Sequence, residues 1–152
     1  MDMSLPSDPE TVFDTSPYNL HESFADDLDF PDEVRLADTT LRDGEQAPGV
    51  SLTPEEKARI ARSLDDAGID VIEAGSACTG PGERETISRV SALDLDATVT
   101  SFARGVQNDI DLALDCGIDG VNLVVPASDQ HIEDKVGISH ADNVDQTVQL
   151  VE

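Results

Sequence analysis

The segment "DAGID" (66–70) returns as "DCGID" (115–119), 49 residues later. Each copy reads the same way: a polar helix end, a glycine that stops the helix, and an Ile-Asp step into an apolar strand. An offset of 49 is two units of about 25 residues, the size of one strand plus the helix that crosses over to the next parallel strand. The rest of the chain fits that rhythm. "VRLAD" (34–38), "DVIEAG" (70–75), "ATVTSF" (97–102) and "GVNLVVP" (120–126) are short apolar stretches of strand length. Between the first two, Thr53 caps a helix with Pro54 at its first position and Glu56 three residues on, a capping box. Ile60, Ala61, Leu64 and Ala67 recur at spacings of 3 and 4 as its buried face, and Gly68 ends it. Further helices are expected near 82–92 and near 106–116, the latter with Val106, Ile110, Ala113 and Leu114 inward. The pattern is α/β with a parallel sheet. Periodicity alone leaves open whether the sheet is doubly wound or closes as an eight-fold barrel.

Charge narrows the function classes. The 152 residues carry 33 Asp and Glu against 9 Lys and Arg, a formal net charge of -24, and only Lys57 and Lys135 are lysines. Such a surface repels phosphate backbones and anionic lipid, so neither nucleic acid nor membrane is expected as a partner. It suits a salt-rich cytoplasm, where screening weakens self-repulsion, and a halophilic source is expected. Cys78 and Cys116 form no C-x-x-C pair and are expected to be small apolar fillers. No signal peptide or membrane-length apolar run is read, and a cytoplasmic protein is expected. Residues 1–33 hold ten acidic residues and no Lys or Arg, interrupted by Pro6, Pro9, Pro17 and Pro31. They are expected to form a solvated, disordered leader. A strap using Phe24 and Phe30 is the alternative. The ordered domain is expected over 34–152.

Functional groups of a parallel α/β fold gather at the carboxyl ends of its strands. Arg42 and Asp43 follow the first strand and Glu73 ends the second. Neighbouring strands lie about 4.8 Å apart, so the three can meet. A carboxylate with spare acceptors can bind a divalent cation, a guanidinium can hold an oxyanion, and a second carboxylate can lock that guanidinium. Gly44 permits a tight turn and Gln46 adds a neutral amide. "RDGEQ" also reads as a polar surface turn. Glu73, flanked by apolar strand residues in "VIEAG", needs a partner if buried. Ser76 and Asn122 fall on the same rim. "GSACTGPG" (75–82) is glycine-rich without a phosphate-loop pattern, which argues against nucleotide binding.

Leu41-Arg42-Asp43-Gly44-Glu45-Gln46, followed ten residues later by Lys57, resembles the first signature of the 2-isopropylmalate, citramalate and homocitrate synthase family. The likeness runs on through "APGVSLTPEEK", "DDAGIDVIEAGSA", "GERETI" and "SDQHI", covers about residues 34–152, and excludes the acidic leader. It implies the amino-terminal half of a TIM (β/α)8 barrel, of the superfamily named for an Asp, an Arg and a Glu that also holds hydroxymethylglutaryl-CoA lyase. By that resemblance Asp43 is a ligand of a divalent metal cation that chelates a 2-oxo acid, Arg42 stabilises the alkoxide, and Glu73 orients Arg42. The implied reaction condenses acetyl-CoA with 2-oxoisovalerate or pyruvate in branched-chain amino-acid biosynthesis and releases CoA. Gln46 and His131, the latter matching the family's "SD-x-H" segment, are the further substrate-binding candidates. His131 taken alone reads more readily as a satisfied loop residue. The implied assembly is a homodimer of the full-length protein. The alternatives are a related metal-dependent lyase or carboxyltransferase, or a non-catalytic half barrel.

A closed barrel of this kind needs about 250 residues. The chain accommodates roughly four β-α units and finishes in "DNVDQTVQLVE", whose Val144, Val148 and Val151 read as an amphipathic helix. The family's His-x-His metal-ligand pair does not occur in it. The expectation is therefore an amino-terminal fragment, inactive and weakly metal-binding by itself, with open sheet edges that favour association.

Overall fold

The computed structural model describes residue 31 and residues 33–152. The expected acidic leader and the strap through Phe24 and Phe30 therefore fall almost wholly outside the described residues. From Arg35 on the chain is one compact unit. Four strands, β1 (Ala37–Asp38), β2 (Val71–Glu73), β3 (Thr98–Arg104) and β4 (Gly120–Val124), alternate with α1 (Pro54–Asp66), α2 (Pro81–Ser91) and α3 (Gln107–Leu114), and α4 (His140–Val151) follows. All pairings are parallel and the spatial order is β1-β2-β3-β4.

That order resolves the choice left open above. A doubly wound sheet reverses its strand order partway, which sends helices to both faces, whereas sequential right-handed crossovers keep them on one. Here Ile72, Ala74 and Val99 share one buried cluster with Ala61 of α1, Ile87 and Val90 of α2 and Ala113 of α3. All three helices thus cover the same face, as in a (β/α) barrel wall. Side chains alternate along a strand, so the opposite face carries Glu73 of β2, Thr98, Thr100 and Phe102 of β3, and Asn122 of β4. This is the inner face, and it is largely polar.

The repeated pentapeptide does what its pattern implies. Gly68 and Gly117 take φ of +84° and +77°, the left-handed conformation that ends a helix at little cost only for glycine. The closing aspartates have a role that periodicity does not disclose. Asp70 Oδ2 accepts the Leu36 N–H at 2.7 Å and Asp119 Oδ2 accepts the Val99 N–H at 2.8 Å. Each repeat thereby satisfies a backbone donor where the preceding strand begins, before ladder bonds can reach it.

Several expectations need correction. Ala67 is exposed at the C-cap of α1, and the inward positions there are Ala58, Ala61 and Lys57, with Ile60 and Leu64 half-buried. A buried lysine breaks the apolar stripe on which the sequence reading relies. Val106 and Leu114 are exposed rather than inward, because Val106 is the extended N-cap residue of α3 and buried Asp109 occupies the inward-facing turn with Ile110 and Ala113. Asp109 is held by Arg104, whose Nε and Nη2 donate to its two oxygens at 2.6 and 3.0 Å. His131, read alone as a loop residue, lies in a π-helical turn, Gln130–Val136, that buries Ile132. The amphipathic helix expected at the end of the chain is present as α4, capped by Ser139 and Asp142, with Val144, Val148 and Val151 exposed. Cys116 is a core filler as expected, and Cys78 is half-buried beside Ser76 Oγ at 3.3 Å. No helix among the described residues is long and apolar enough to cross a membrane.

Candidate active site

The turn after β1 is wound tightly around one carbonyl. Thr39 O accepts the N–H groups of Arg42, Asp43 and Gly44 at 3.1, 2.8 and 3.1 Å, and Asp38 closes an Asx turn onto the Thr40 N–H at 2.8 Å. Leu41 is fully buried and pins the turn to the core. Arg42 is thereby aimed over the carboxyl ends of β2 and β3. Its guanidinium carbon lies 4.0 Å above the centre of the Phe102 ring, a cation–π contact that holds the group against an apolar surface.

Arg42 Nη1 donates to Asp43 Oδ1 at 2.9 Å. Glu73 is nearly buried at the end of β2, and its Oε2 lies 3.9 Å from Arg42 Nε, close enough to attract the guanidinium but too far for a hydrogen bond. The other Glu73 oxygen accepts from Asn122 Nδ2 at 2.7 Å, and that amide also donates to Thr100 Oγ1 at 3.1 Å. Three strands therefore hold the Glu73 carboxylate behind the arginine. Among the described residues Arg42 Nε, which is buried, has no hydrogen-bond partner. An unpaired buried donor on a cation costs free energy.

A cleft of about 230 Å³ opens beside it, lined by Arg42, Glu45, Gln46, Ser76, Thr79, Glu83 and Phe102. Behind its lining carboxylates lies Lys57, 1 % exposed, whose Nζ meets Glu45 Oε2 at 2.6 Å and Glu83 Oε1 at 2.9 Å. Burial pushes the Glu45 carboxyl up, but the Lys57 ammonium and the Leu52 N–H bonded to it outweigh burial and hold it below its ordinary value. Glu83 in turn needs Gly75, because a Cβ there would collide with its carboxylate.

The structure thus brings together Arg42, Asp43, Gln46 and Glu73, with Ser76 on the same cleft. It places His131 elsewhere. His131 is exposed and lines a separate cavity of about 560 Å³ formed with Arg104, Val124, Lys135 and α4 residues. Lys57 and Phe102 are the side chains whose contributions strand and helix periodicity did not expose, whereas Asn122 lies on the rim where the strand reading expects it. The signal for Lys57 was available: a lysine in the second helical turn at the position where an apolar residue belongs.

Around the cleft Arg42 and Lys57 face Asp43, Glu45, Glu73 and Glu83, a formal balance of two positive against four negative groups. That surplus and the 63 % exposed Asp43 carboxylate suit one edge of a hard divalent cation's oxygen shell. Yet no group of three or more His, Cys, Asp or Glu side chains among the described residues could hold a metal. These residues therefore do not complete a metal centre, and no chemical step is derived through one.

Similarity to known proteins follows the same geometry. The chain is 50 % identical over 119 residues to the (R)-citramalate synthase of Methanocaldococcus jannaschii, covering 78 % of this chain and 24 % of that one. It is 48 % identical over 127 residues to the 2-isopropylmalate synthase of the same organism, covering 84 % and 24 %. It is 43 % identical over 126 residues to the homocitrate synthase of Methanopyrus kandleri, covering 83 % and 32 %. The chain therefore spans about a quarter to a third of the length of these relatives. The HMG-CoA lyase of Bacillus subtilis superposes with a TM-score of 0.63 over 81 % of this chain and 43 % of that one, and its 23 % identity speaks for the fold alone. The HMGL-like family model matches residues 33–152, the stretch that carries the Arg42–Gln46 turn, the Glu73 strand end and the four β-α units. Sequence, strand order and site coincide, and the chain belongs to the HMGL-like family.

Proposed function

We propose that this chain supplies the amino-terminal part of an acyltransferase site that condenses acetyl-CoA with a short 2-oxo acid, pyruvate or 2-oxoisovalerate, releasing CoA. The carrying observation is Arg42: a guanidinium held over Phe102 and attracted by Glu73, on the wall of the cleft that Gln46 and Ser76 share. A guanidinium on the cleft wall suits an oxygen on which negative charge develops as a carbonyl carbon is attacked. The Phe102 wall lowers the local dielectric and strengthens that interaction. Gln46, Ser76 and Thr79 line the same cleft as neutral hydrogen-bonding groups. The similar synthases named above support this reaction class.

A divalent cation beside Asp43 belongs to the proposal only in company with ligands from outside residues 33–152. It would offset the negative surplus that otherwise repels an anionic 2-oxo acid. The 152-residue chain alone is accordingly inactive in this reading, and the active form is a homodimer of the longer protein.

The test is CoA release, followed with a thiol reagent, from acetyl-CoA and each 2-oxo acid. The assay uses the chain alone, and the chain supplemented with the remaining carboxyl-terminal three quarters of a similar synthase plus Mg²⁺ or Mn²⁺. The expected result is release only in the supplemented sample, reduced on the order of 100-fold by Arg42→Lys. Cleavage of hydroxymethylglutaryl-CoA without condensation would replace the synthase reading by a lyase.

A further inference from the structure

Lys57 is the largest fully buried side chain of the described residues, and the chemistry above does not use it. Its ammonium has three protons and meets three carboxylate oxygens: Glu45 Oε2 at 2.6 Å and Glu83 Oε1 and Oε2 at 2.9 and 3.2 Å. The three residues sit on different elements. Glu45 belongs to the short 3₁₀ turn Gly44–Gln46, Lys57 to the first turns of α1, and Glu83 to the first turn of α2. Glu45 spends its second oxygen on the Leu52 N–H at 2.9 Å, which closes residues 45–52 into a loop. The start of α1 is fixed independently by the Thr53–Glu56 capping box. Gly75, directly after β2, leaves the space that the Glu83 carboxylate occupies.

A buried charge cluster adds little net stability, since desolvation cancels most of the attraction. Two carboxylates on one ammonium also leave a negative surplus in a nearly dry place. What the arrangement supplies is direction. Glu45 lies three residues after Arg42 on the same turn, and the carboxylates that line the cleft opposite Arg42 are the two Lys57 holds.

We propose that Lys57 is a positioning residue for Arg42. Through Glu45 it fixes the Arg42–Gln46 turn against α1 and α2, and so sets where the Arg42 Nε–H points. Its consequence for catalysis rests on the acyltransferase reading, but its test does not.

The test follows the Arg42 side-chain Nε–H resonance of the ¹⁵N-labelled chain, assigned by its loss in Arg42→Lys, together with exchange of the Leu52 amide. The combined variant Lys57→Met, Glu45→Gln, Glu83→Gln removes the cluster with no buried charge left unpaired. Its β2 and β3 amides should keep their native shifts, while the Arg42 resonance moves and Leu52 exchanges at least about 10-fold faster. Glu45→Gln alone leaves Lys57 paired with Glu83, and it should displace the Arg42 signal in the same direction. That second variant decides the matter if the triple variant does not fold. An Arg42 resonance that overlays the native one in Glu45→Gln overturns the proposal and leaves Lys57 a purely structural residue. Neither readout requires turnover, so an enzyme with another activity leaves the result standing.

Discussion

Replacing Lys57 by Met is the substitution whose cost follows most directly from the geometry. Methionine matches the unbranched stem, so packing is nearly conserved, and the loss is electrostatic. Breaking a buried ion pair by removing one partner costs about 3–5 kcal/mol, because the remaining charge is stranded. Glu45 and Glu83 keep 24 % and 21 % of their side chains exposed, so water relieves part of that cost. A value of about 2–3 kcal/mol at pH 7 results after that screening is allowed for. For a domain of this size that lowers the melting temperature by roughly 8–15 °C.

The pH dependence has a definite sign. The Glu45 carboxyl is held below its ordinary value in the folded protein. Its contribution to stability is therefore complete above the ordinary carboxylate range and is lost as pH falls through the depressed folded value. In Lys57→Met that contribution is absent, and protonation of Glu45 removes its repulsion with the neighbouring Glu83 carboxylate. The gap between the native chain and the variant should be widest near neutrality and narrow steadily below about pH 4.5. Thermal and urea denaturation followed by circular dichroism at pH 7 and at pH 4 would measure it. A gap below about 0.5 kcal/mol, or one independent of pH, would refute the electrostatic account of the cluster.

Three further outcomes are expected. Gly75→Ala, one methyl group against the Glu83 carboxylate and 3.1 Å from Ile87 Cγ1, should destabilise the chain by about 1–3 kcal/mol, and the added substitution Glu83→Gln should not restore it fully because Ile87 remains in contact. Asp109→Asn removes the Arg104 fork that holds the Asp109 carboxyl below its ordinary value, so it should lower the melting temperature at pH 7 and lose that effect as pH falls below the carboxylate range. With a formal charge of -24, the chain should melt higher in about 1 M KCl, where the Debye length is about 3 Å, than at about 0.01 M salt, where it is about 30 Å. A melting temperature unchanged by salt would sink that expectation.

Local chemistry made much of the fold legible. The capping box Thr53–Glu56, the stop glycines 68 and 117, and the alternation of four short apolar strands with helices all read directly, because each depends on residues within one or two turns of each other. The errors have a common cause. Ala67, Val106 and Leu114 were placed inward by spacing alone, but Lys57 and Asp109 took inward positions once partners from other elements satisfied their charges. Periodicity counts apolar residues and does not see a cation whose counter-ions lie up to 26 residues away.

The site divides along the same line. Arg42, Asp43, Gln46 and Glu73 could be named from the chain because the motif is contiguous and strand ends gather functional groups. The linear order also determined the polarity of each unit, the family likeness and the strongly acidic surface. Tertiary structure alone decided that the helices share one face, that Arg42 lies over Phe102, that Asn122 braces Glu73, and that His131 faces a different cavity. The physical reason is distance along the chain. Each of those facts is a contact between elements, and its geometry exists only after the parallel strands have fixed their register.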